Sequence, residues 1–240
     1  MVLRCYYTIR EWKSKGGILM QIKIAVTGKM RSGKSTVVQL LQEELIKINE
    51  KIEVNEVGFG DMLKYFAHDI FLVKDLANKP RTLYQEFGQK MREVSQLVNG
   101  HENVWIDLLD YYLEESFWNK YDNASEGDSN SDSNSGSDEN ILCALITDLR
   151  QPNEYEWCRN NGYTIIKVQS DDENRLERII SEGDSFTEEN LNHETELHID
   201  NFEADYVIDN NQTVENLKNL VEIIALSIYG KAVDEEYKVK

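Results

Sequence analysis

The chain has 240 residues and a mass of 27.9 kDa, which is enough for one α/β domain or two small ones with a substantial core. Its net charge of -18 and its pI near 4.6 argue against nucleic acid or an anionic membrane as a partner. No apolar run approaches the roughly 20 residues that span a bilayer. The three cysteines lack metal-type spacing, and no secretory signal is recognised, so we expect reduced thiols and a cytoplasmic location.

The first predicted strand begins only after Met20, which leaves residues 1–19 ahead of the domain. Lys15, Gly16 and Gly17 can be encoded by a purine run containing GGAGG, shortly before the Met20 codon. A bacterial ribosome-binding site would look like this if it were translated. Two interpretations stay open: residues 1–19 are a translated leader, or they are a genuine, partly ordered extension.

A strand predicted over residues 22–27 leads directly into the octapeptide GKMRSGKS. A helix follows, indicated by apolar residues at positions 37, 41, 45 and 48. The octapeptide fits the Walker A pattern, in which glycines let backbone N–H groups turn toward a phosphate at the start of a helix. Lys34 adds a full charge, and the Ser35 hydroxyl is placed to ligate Mg²⁺. The sequence therefore predicts a site for a nucleoside triphosphate.

A second candidate cluster follows the strand predicted over residues 52–58. Phe59, Lys64, Gln85 and Arg92 offer an aromatic face, two cations and an amide. These are the groups that stack on a base, bond its edge and neutralise a phosphate. The alternative is that Phe59 belongs to the core and the cations lie on solvated helix faces.

Residues 123–140 read NASEGDSNSDSNSGSDEN, with no aromatic or large aliphatic side chain. Such a composition cannot bury enough surface to offset its ordering entropy, so a flexible acidic loop is predicted. A strand-like run over residues 141–147 follows at once and needs a sheet to enter. The loop is therefore expected to interrupt one domain rather than to separate two.

The strand over residues 141–147 ends at an acidic residue, Asp148. This is the Walker B arrangement, in which the carboxylate holds Mg²⁺ directly or through water. Arg150 stands two residues later, where a guanidinium could clamp a phosphate bidentately. The alternative is that Asp148 simply caps a helix.

Strands are also predicted over residues 163–168 and 204–209, and a last helix over roughly 214–228. Strands and helices thus alternate along the chain. This alternation predicts an α/β fold with a parallel five-stranded sheet, helices on both faces, and ligands at the carboxyl ends of the strands.

The motifs GKMRSGKST, GFGDMLK, LYQEFGQKMR, VWI, TDLRQPNE and DYVIDNN, in this order, resemble the bacteriophage deoxynucleoside monophosphate kinases. These belong to the wider P-loop nucleotide kinases, which include dephospho-CoA kinase. The combination of LxQxxGxxxR with DxRxxNE narrows the resemblance beyond the Walker A loop. It implies a three-layer P-loop kinase domain over residues 20–230, a helical lid over about 170–200 and a tail over 231–240.

The resemblance also implies a role for individual residues. The donor would be held by Gly28, Lys29, Met30, Arg31, Ser32, Gly33, Lys34, Ser35 and Thr36, and the metal by Ser35 and Asp148. The acceptor site would comprise Phe59, Lys64, Gln85, Arg92 and Arg150.

Two further pairs complete the implied site. Arg175 and Arg178 resemble lid arginines that close over the transferring phosphoryl group and act with Lys34, Arg92 and Arg150; the alternative is an ion-paired surface helix. Asn210 and Asn211 stand where this superfamily wraps the donor adenine. His193 falls where similar sequences carry a His and acidic cluster after the lid, and a structural role is favoured over a catalytic one.

The function predicted on these grounds is Mg²⁺-dependent transfer of the γ-phosphoryl group of ATP to a (deoxy)nucleoside monophosphate, by a monomer or homodimer. Catalysis would rest on positioning and charge neutralisation. Two alternatives stay open: another small-molecule kinase, with dephospho-CoA kinase first, or a non-enzymatic P-loop protein that binds nucleotide to regulate a partner.

Overall fold

A computed structural model describes residues 20–73, 80–118, 141–181 and 198–239. The proposed leader at 1–19, the acidic tract at 123–140 and His193 lie outside the described residues. Of the lid predicted over about 170–200, residues 170–181 and 198–200 are described.

Five parallel strands form one sheet in the order β2-β3-β1-β4-β5. Their bounds are β1 Gln21–Thr27, β2 Ile52–Val57, β3 Ile141–Leu149, β4 Thr164–Gln169 and β5 Tyr206–Asp209. The predicted α/β class and five-stranded parallel sheet are confirmed. Strand β3 runs beyond its predicted end at residue 147, so Asp148 lies within the strand.

Both faces of the sheet are buried. Ile22, Ile24 and Val26 alternate along β1 and enter one hydrophobic cluster, whereas Ala25 between them enters the other. This two-sided burial requires strands that are apolar at nearly every position, which explains the aliphatic runs in β1, β3 and β4.

Helices cover each face. α1 (Lys34–Ile48) and the C-terminal helix α7 (Val214–Val239) pack on the first face, and α4 (Val104–Tyr112), a π-helical turn (Leu113–Phe117) and α5 (Pro152–Asn160) pack on the second. The remaining helices follow β2 and β4: α2 is Phe59–Phe71, α3 is Arg81–Asn99 and α6 is Asp172–Ser181. Within the described ranges, no helix combines the length and the apolar character that crossing a membrane requires.

Helix α7 continues to Val239 instead of ending near residue 228, so residues 231–239 of the predicted tail are helical. The reason is packing: Tyr229, Ala232 and Val233 recur at helical spacing and contact the cluster on the α1 face.

The sheet order places the end of β1 between β3 and β4. Thr27 lies opposite Leu149 on one side and Lys167 on the other, and its hydroxyl donates to the Leu149 carbonyl at 2.8 Å. The segment that follows Thr27 therefore emerges at the carboxyl edge of the sheet, where ligands bind in folds of this kind.

Candidate functional site

The loop from Gly28 to Gly33 turns sharply between β1 and α1. Gly28, Arg31 and Gly33 have φ values of 154°, 62° and 99°, in the region that L-residues other than glycine rarely adopt. A Cβ atom at Gly28 would lie 2.4 Å from the main-chain oxygen of Val168 in β4. The Walker A pattern thus needs glycine here both for the backbone angle and for the close approach to the neighbouring strand.

Lys34 folds its side chain back over this loop. Its Nζ donates to the carbonyls of Gly28 at 2.5 Å and Lys29 at 2.8 Å. Ser35 and Thr36 are exposed in the first turn of α1. An ammonium group, two exposed hydroxyl-bearing residues and the amino end of a helix therefore meet in one place, which is the chemistry that binds a polyphosphate.

The side chain of Asn210, which follows β5, points into the protein and contacts the Walker A loop. Its Nδ2 donates to the Ser32 carbonyl at 2.9 Å, and a Cβ at Gly33 would lie 2.0 Å from that nitrogen. Asn211 accepts bonds from the Ser170 hydroxyl, the Asp171 amide and the Asn174 amide group at 2.8–3.0 Å. Both asparagines were predicted to contact the donor base; in this structure their amides join the loop and α6 to β5.

The two arginines of α6 also contact the loop. Arg175, 4% exposed, donates through Nε to the carbonyl of Met30 at 2.8 Å and through Nη1 to Asp172 at 2.7 Å. Arg178 donates to the carbonyls of Arg31 at 3.1 Å and Asn210 at 2.8 Å. The ion pair of the alternative interpretation exists for Arg175, although this side chain is buried, and both guanidinium groups also hold main-chain oxygens of the loop. These bonds tie the main chain of Met30 and Arg31 to α6.

Asp148 lies near the end of β3, and both of its carboxylate oxygens accept main-chain hydrogen bonds at the start of α2. The amides of Phe59 and Gly60 donate to Oδ1 and Oδ2, each at 2.8 Å. Burial raises the pKa of Asp148, and these two amides partly offset the rise. Asp148 thus holds the first main-chain amides of α2, and each of its oxygens keeps a second lone pair for another partner.

Glu154, in the first turn of α5, is 6% exposed and is a site residue that the sequence analysis did not single out. Its Oε2 accepts the amides of Arg150 at 3.0 Å and Gln151 at 2.9 Å. Burial and the nearby charge of Asp148 raise the pKa of Glu154 to about 7. These bonds hold the main chain of Arg150 in place and so determine the position of its Cα atom, from which the side chain extends.

A cleft of about 310 Å³ opens beside Asp148, between α2, α3, α4 and the start of α5. Four of the five predicted acceptor residues line it, namely Phe59, Lys64, Arg92 and Arg150; Gln85 is exposed on α3 and does not. Lining residues that the sequence analysis did not assign to the site are Gly60, Leu63, Trp105, Gln151 and Glu154.

The cations of this cleft differ in their pairing. Lys64 forms an ion pair with Asp61 at 2.7 Å. Neither Arg92 nor Arg150 forms an ion pair with a carboxylate in the described parts of the chain. Phe59 is buried in the core as the alternative interpretation expected, yet it also lines the cleft. The cleft therefore combines an apolar wall with two guanidinium groups that have no salt-bridge partner among the described residues.

The predicted metal ligands provide oxygen donors, which Mg²⁺ prefers: an exposed hydroxyl on Ser35 and the carboxylate of Asp148. No group of three or more His, Cys, Asp or Glu side chains suited to a metal occurs within residues 20–73, 80–118, 141–181 and 198–239.

Three solved structures are similar to this chain at low identity. APE1195 shares 13% identity with a TM-score of 0.42, covering 90% of this chain and 98% of its own. TT1252 from Thermus thermophilus shares 19% identity with a TM-score of 0.40, covering 86% of this chain and 97% of its own. Shikimate kinase from Aquifex aeolicus vf5 shares 17% identity with a TM-score of 0.38, covering 89% of this chain and 99% of its own.

A comparison with curated proteins gives no match. A family model described as an AAA domain matches residues 24–198, which include the Walker A loop, Asp148 and the arginines of α6. The matched region is well over half of the chain, and the protein belongs to the AAA domain family.

Proposed function

We propose that the protein transfers the γ-phosphoryl group of ATP to a (deoxy)nucleoside monophosphate, giving the diphosphate. The strongest support comes from Arg92 and Arg150, which line the cleft beside Asp148 without a salt-bridge partner among the described residues. Two such guanidinium groups suit an acceptor phosphate, which they can bind bidentately. A protein that binds nucleotide only to regulate a partner would have no use for cations in a second cleft.

The donor would bind at the Walker A loop. Loop amides and the amino end of α1 would surround its phosphates, and Lys34 would exchange its bonds to the carbonyls of Gly28 and Lys29 for phosphate oxygens. Ser35 and Asp148 would hold Mg²⁺, directly or through water. When bound, this ion offsets the negative charge that the phosphates carry during transfer.

The acceptor would lie in the cleft, with its phosphate toward Arg92 and Arg150 and its base against the apolar wall. Phe59, Leu63 and Trp105 supply that wall. The volume of about 310 Å³ falls at the lower end of the range for small-molecule sites. Because Asp148 borders the cleft and β3 neighbours β1, the two phosphates would approach each other at the carboxyl edge of the sheet.

Catalysis would then require positioning and charge neutralisation, without a covalent intermediate. Arg175 and Arg178 would contribute as positioning residues, since they hold the carbonyls of Met30 and Arg31 and thereby the orientation of the loop amides. This role differs from direct contact with the transferring phosphoryl group, which the sequence had suggested.

The test is ADP release from MgATP in a coupled assay, with each deoxynucleoside and ribonucleoside monophosphate and dephospho-CoA supplied separately, against a blank without acceptor. We expect acceptor-dependent turnover with one or more monophosphates. Turnover only with dephospho-CoA would favour the other kinase, and ATP binding without any acceptor dependence would favour a regulatory protein. Lys34→Ala should abolish transfer while circular dichroism shows an intact fold; normal turnover in this variant would contradict the donor site.

A further inference from the structure

We propose that a second cavity, on the β4 side of the Walker A loop, is a phosphate-binding subsite formed by Lys167, Lys29 and Ser32. The cavity has a volume of about 370 Å³ and is separate from the acceptor cleft. It is bordered by the loop, the carboxyl end of β4, the start of α6 and the short segment at residues 199–200. None of the sequence motifs had pointed to Lys167.

Lys167 is a cation in the buried middle of β4, flanked by Ile166 and Val168, and it is only 8% exposed. Its Nζ donates a long hydrogen bond of 3.2 Å to the main-chain oxygen of Asp200. No carboxylate of the described residues lies within ion-pair distance of it. An ammonium group has three donors and is costly to bury without a counter-charge, and burial accordingly lowers the pKa of Lys167. The arrangement calls for an anion in the cavity.

Ser32 gives a second and independent indication. It is 1% exposed, lines the cavity, and its Oγ has no hydrogen-bond partner in the described parts of the chain. Buried hydroxyl groups are normally satisfied, so an orphaned one beside two lysines points to a ligand that brings oxygen acceptors. A phosphate group supplies several such oxygens at once.

Asp200 stands in for this anion in the present structure. Its carboxylate lies 2.7 Å from Nζ of Lys29, while its main-chain oxygen accepts the bond from Lys167. The Asp200 side chain is more than half exposed, and an ion pair in such a position contributes little to stability. A phosphate reaching both lysines and the Ser32 hydroxyl would therefore displace the Asp200 side chain.

The remaining charges of the cavity do not take the place of that ligand. Arg175 is paired with Asp172 at 2.7 Å, and Asp171 and Asp209 lie at the rim on exposed positions. The phosphate could be the terminal phosphate of the nucleotide held by the loop, in which case the subsite rests on the proposed function. It could also belong to a separate phosphorylated ligand.

The experiment measures binding and not turnover, so its result is independent of whether any acceptor is phosphorylated. Dissociation constants for MgATP, MgADP and inorganic phosphate are determined by isothermal titration calorimetry for the wild type, Lys167→Met and Asp200→Asn. Lys47→Met, which removes an exposed lysine of α1, is the matched control. We expect Lys167→Met to weaken at least one of these ligands by about tenfold or more, since a charge-assisted phosphate contact is lost.

Which of the three dissociation constants changes in Lys167→Met identifies the source of the phosphate. Weakened ATP with ADP unchanged assigns the subsite to the terminal phosphate of the donor, whereas weakened inorganic phosphate alone assigns it to a separate ligand. Asp200→Asn should tighten the same ligand severalfold, because the competing carboxylate is removed. This exposed substitution tests the subsite even if Lys167→Met fails to fold. Wild-type affinities for all three ligands in Asp200→Asn, and in Lys167→Met if it is folded, would overturn the proposal.

Discussion

The side-chain amide of Asn210 donates a 2.9 Å hydrogen bond to the main-chain carbonyl of Ser32, 178 residues earlier in the chain. Asn210→Ala should therefore leave a buried carbonyl without its partner. We expect a loss of about 1–2 kcal/mol in the free energy of unfolding and an increase of severalfold in the dissociation constant for MgATP. Urea denaturation and calorimetry measure the two effects. Asn216→Ala, which removes an exposed amide of α7, should change neither.

Gly28→Ala should abolish nucleotide binding. The added methyl group would lie 2.4 Å from the main-chain oxygen of Val168, and a carbonyl within a central strand cannot move aside. Gly162→Ala is the matched control, because Gly162 also has a positive φ of 73° but has no atom within 4 Å of the added carbon. We expect a stability cost of about 1 kcal/mol from the control, from backbone strain alone, with unchanged MgATP affinity. Equal binding by both variants would contradict the steric explanation.

Arg150→Gln should raise the KM for the monophosphate acceptor by about tenfold or more and leave MgATP affinity within twofold. The reason is that the lost guanidinium faces the acceptor cleft and has no carboxylate partner among the described residues that would also be disturbed. Arg159→Gln serves as control, since Arg159 pairs with Asp205 at 2.7 Å outside the residues that line the cleft. Steady-state kinetics at saturating MgATP measure the effect. An unchanged acceptor KM in Arg150→Gln would refute this assignment of Arg150.

Glu154 should make stability depend on pH in an identifiable window. Its pKa is raised from 4.5 to about 7, so between these values the folded protein retains a proton that the unfolded chain releases. The contribution of Glu154 to stability is therefore fully present below pH 4.5 and is lost as the pH rises through 7. This increase in the pKa of Glu154 corresponds to a change of about 3 kcal/mol in the free energy of unfolding.

Glu154→Gln isolates this contribution, because glutamine keeps an oxygen for the amides of Arg150 and Gln151 and cannot ionise. The unfolding free energy of the variant relative to the wild type should increase by up to about 3 kcal/mol between pH 4.5 and pH 8. Urea denaturation at several pH values across this interval measures the difference. A difference that stays constant with pH would show that Glu154 does not titrate in this window.

The sequence was sufficient for the sheet and for the location of the loop, because both depend on local patterns. Alternating or continuous aliphatic runs predict strands, and the Walker A spacing predicts a strand-to-helix turn. The loop partner of Arg175 and the partners of Asn210 and Asn211 could not be predicted, because they lie on segments that meet only after the sheet has formed. Each of these side chains bonds a main-chain or side-chain group more than thirty positions away.

Glu154 and Lys167 illustrate two different limits. The sequence TDLRQPNE contained Glu154, but only the fold shows that its carboxyl is buried beside Asp148. Lys167 was visible as a lone cation in TIIKVQ, which is an unusual position in a buried parallel strand and could have been identified as a signal. The partner of Lys167 is the main-chain oxygen of Asp200, and no pattern in the sequence predicts that Asp200 lies next to β4.

The order β2-β3-β1-β4-β5 also determines when the sheet can assemble during synthesis. Neither β1 nor β2 has a strand neighbour until β3 has been made, since both pair with β3 first along the chain. At about 5–20 residues per second, a ribosome needs on the order of ten seconds to extend the chain from Thr27 to the end of β3. During that interval the largely aliphatic strand β1 has open edges, which are prone to aggregation. The nascent chain is therefore expected to depend on chaperones until residue 149 has left the ribosome.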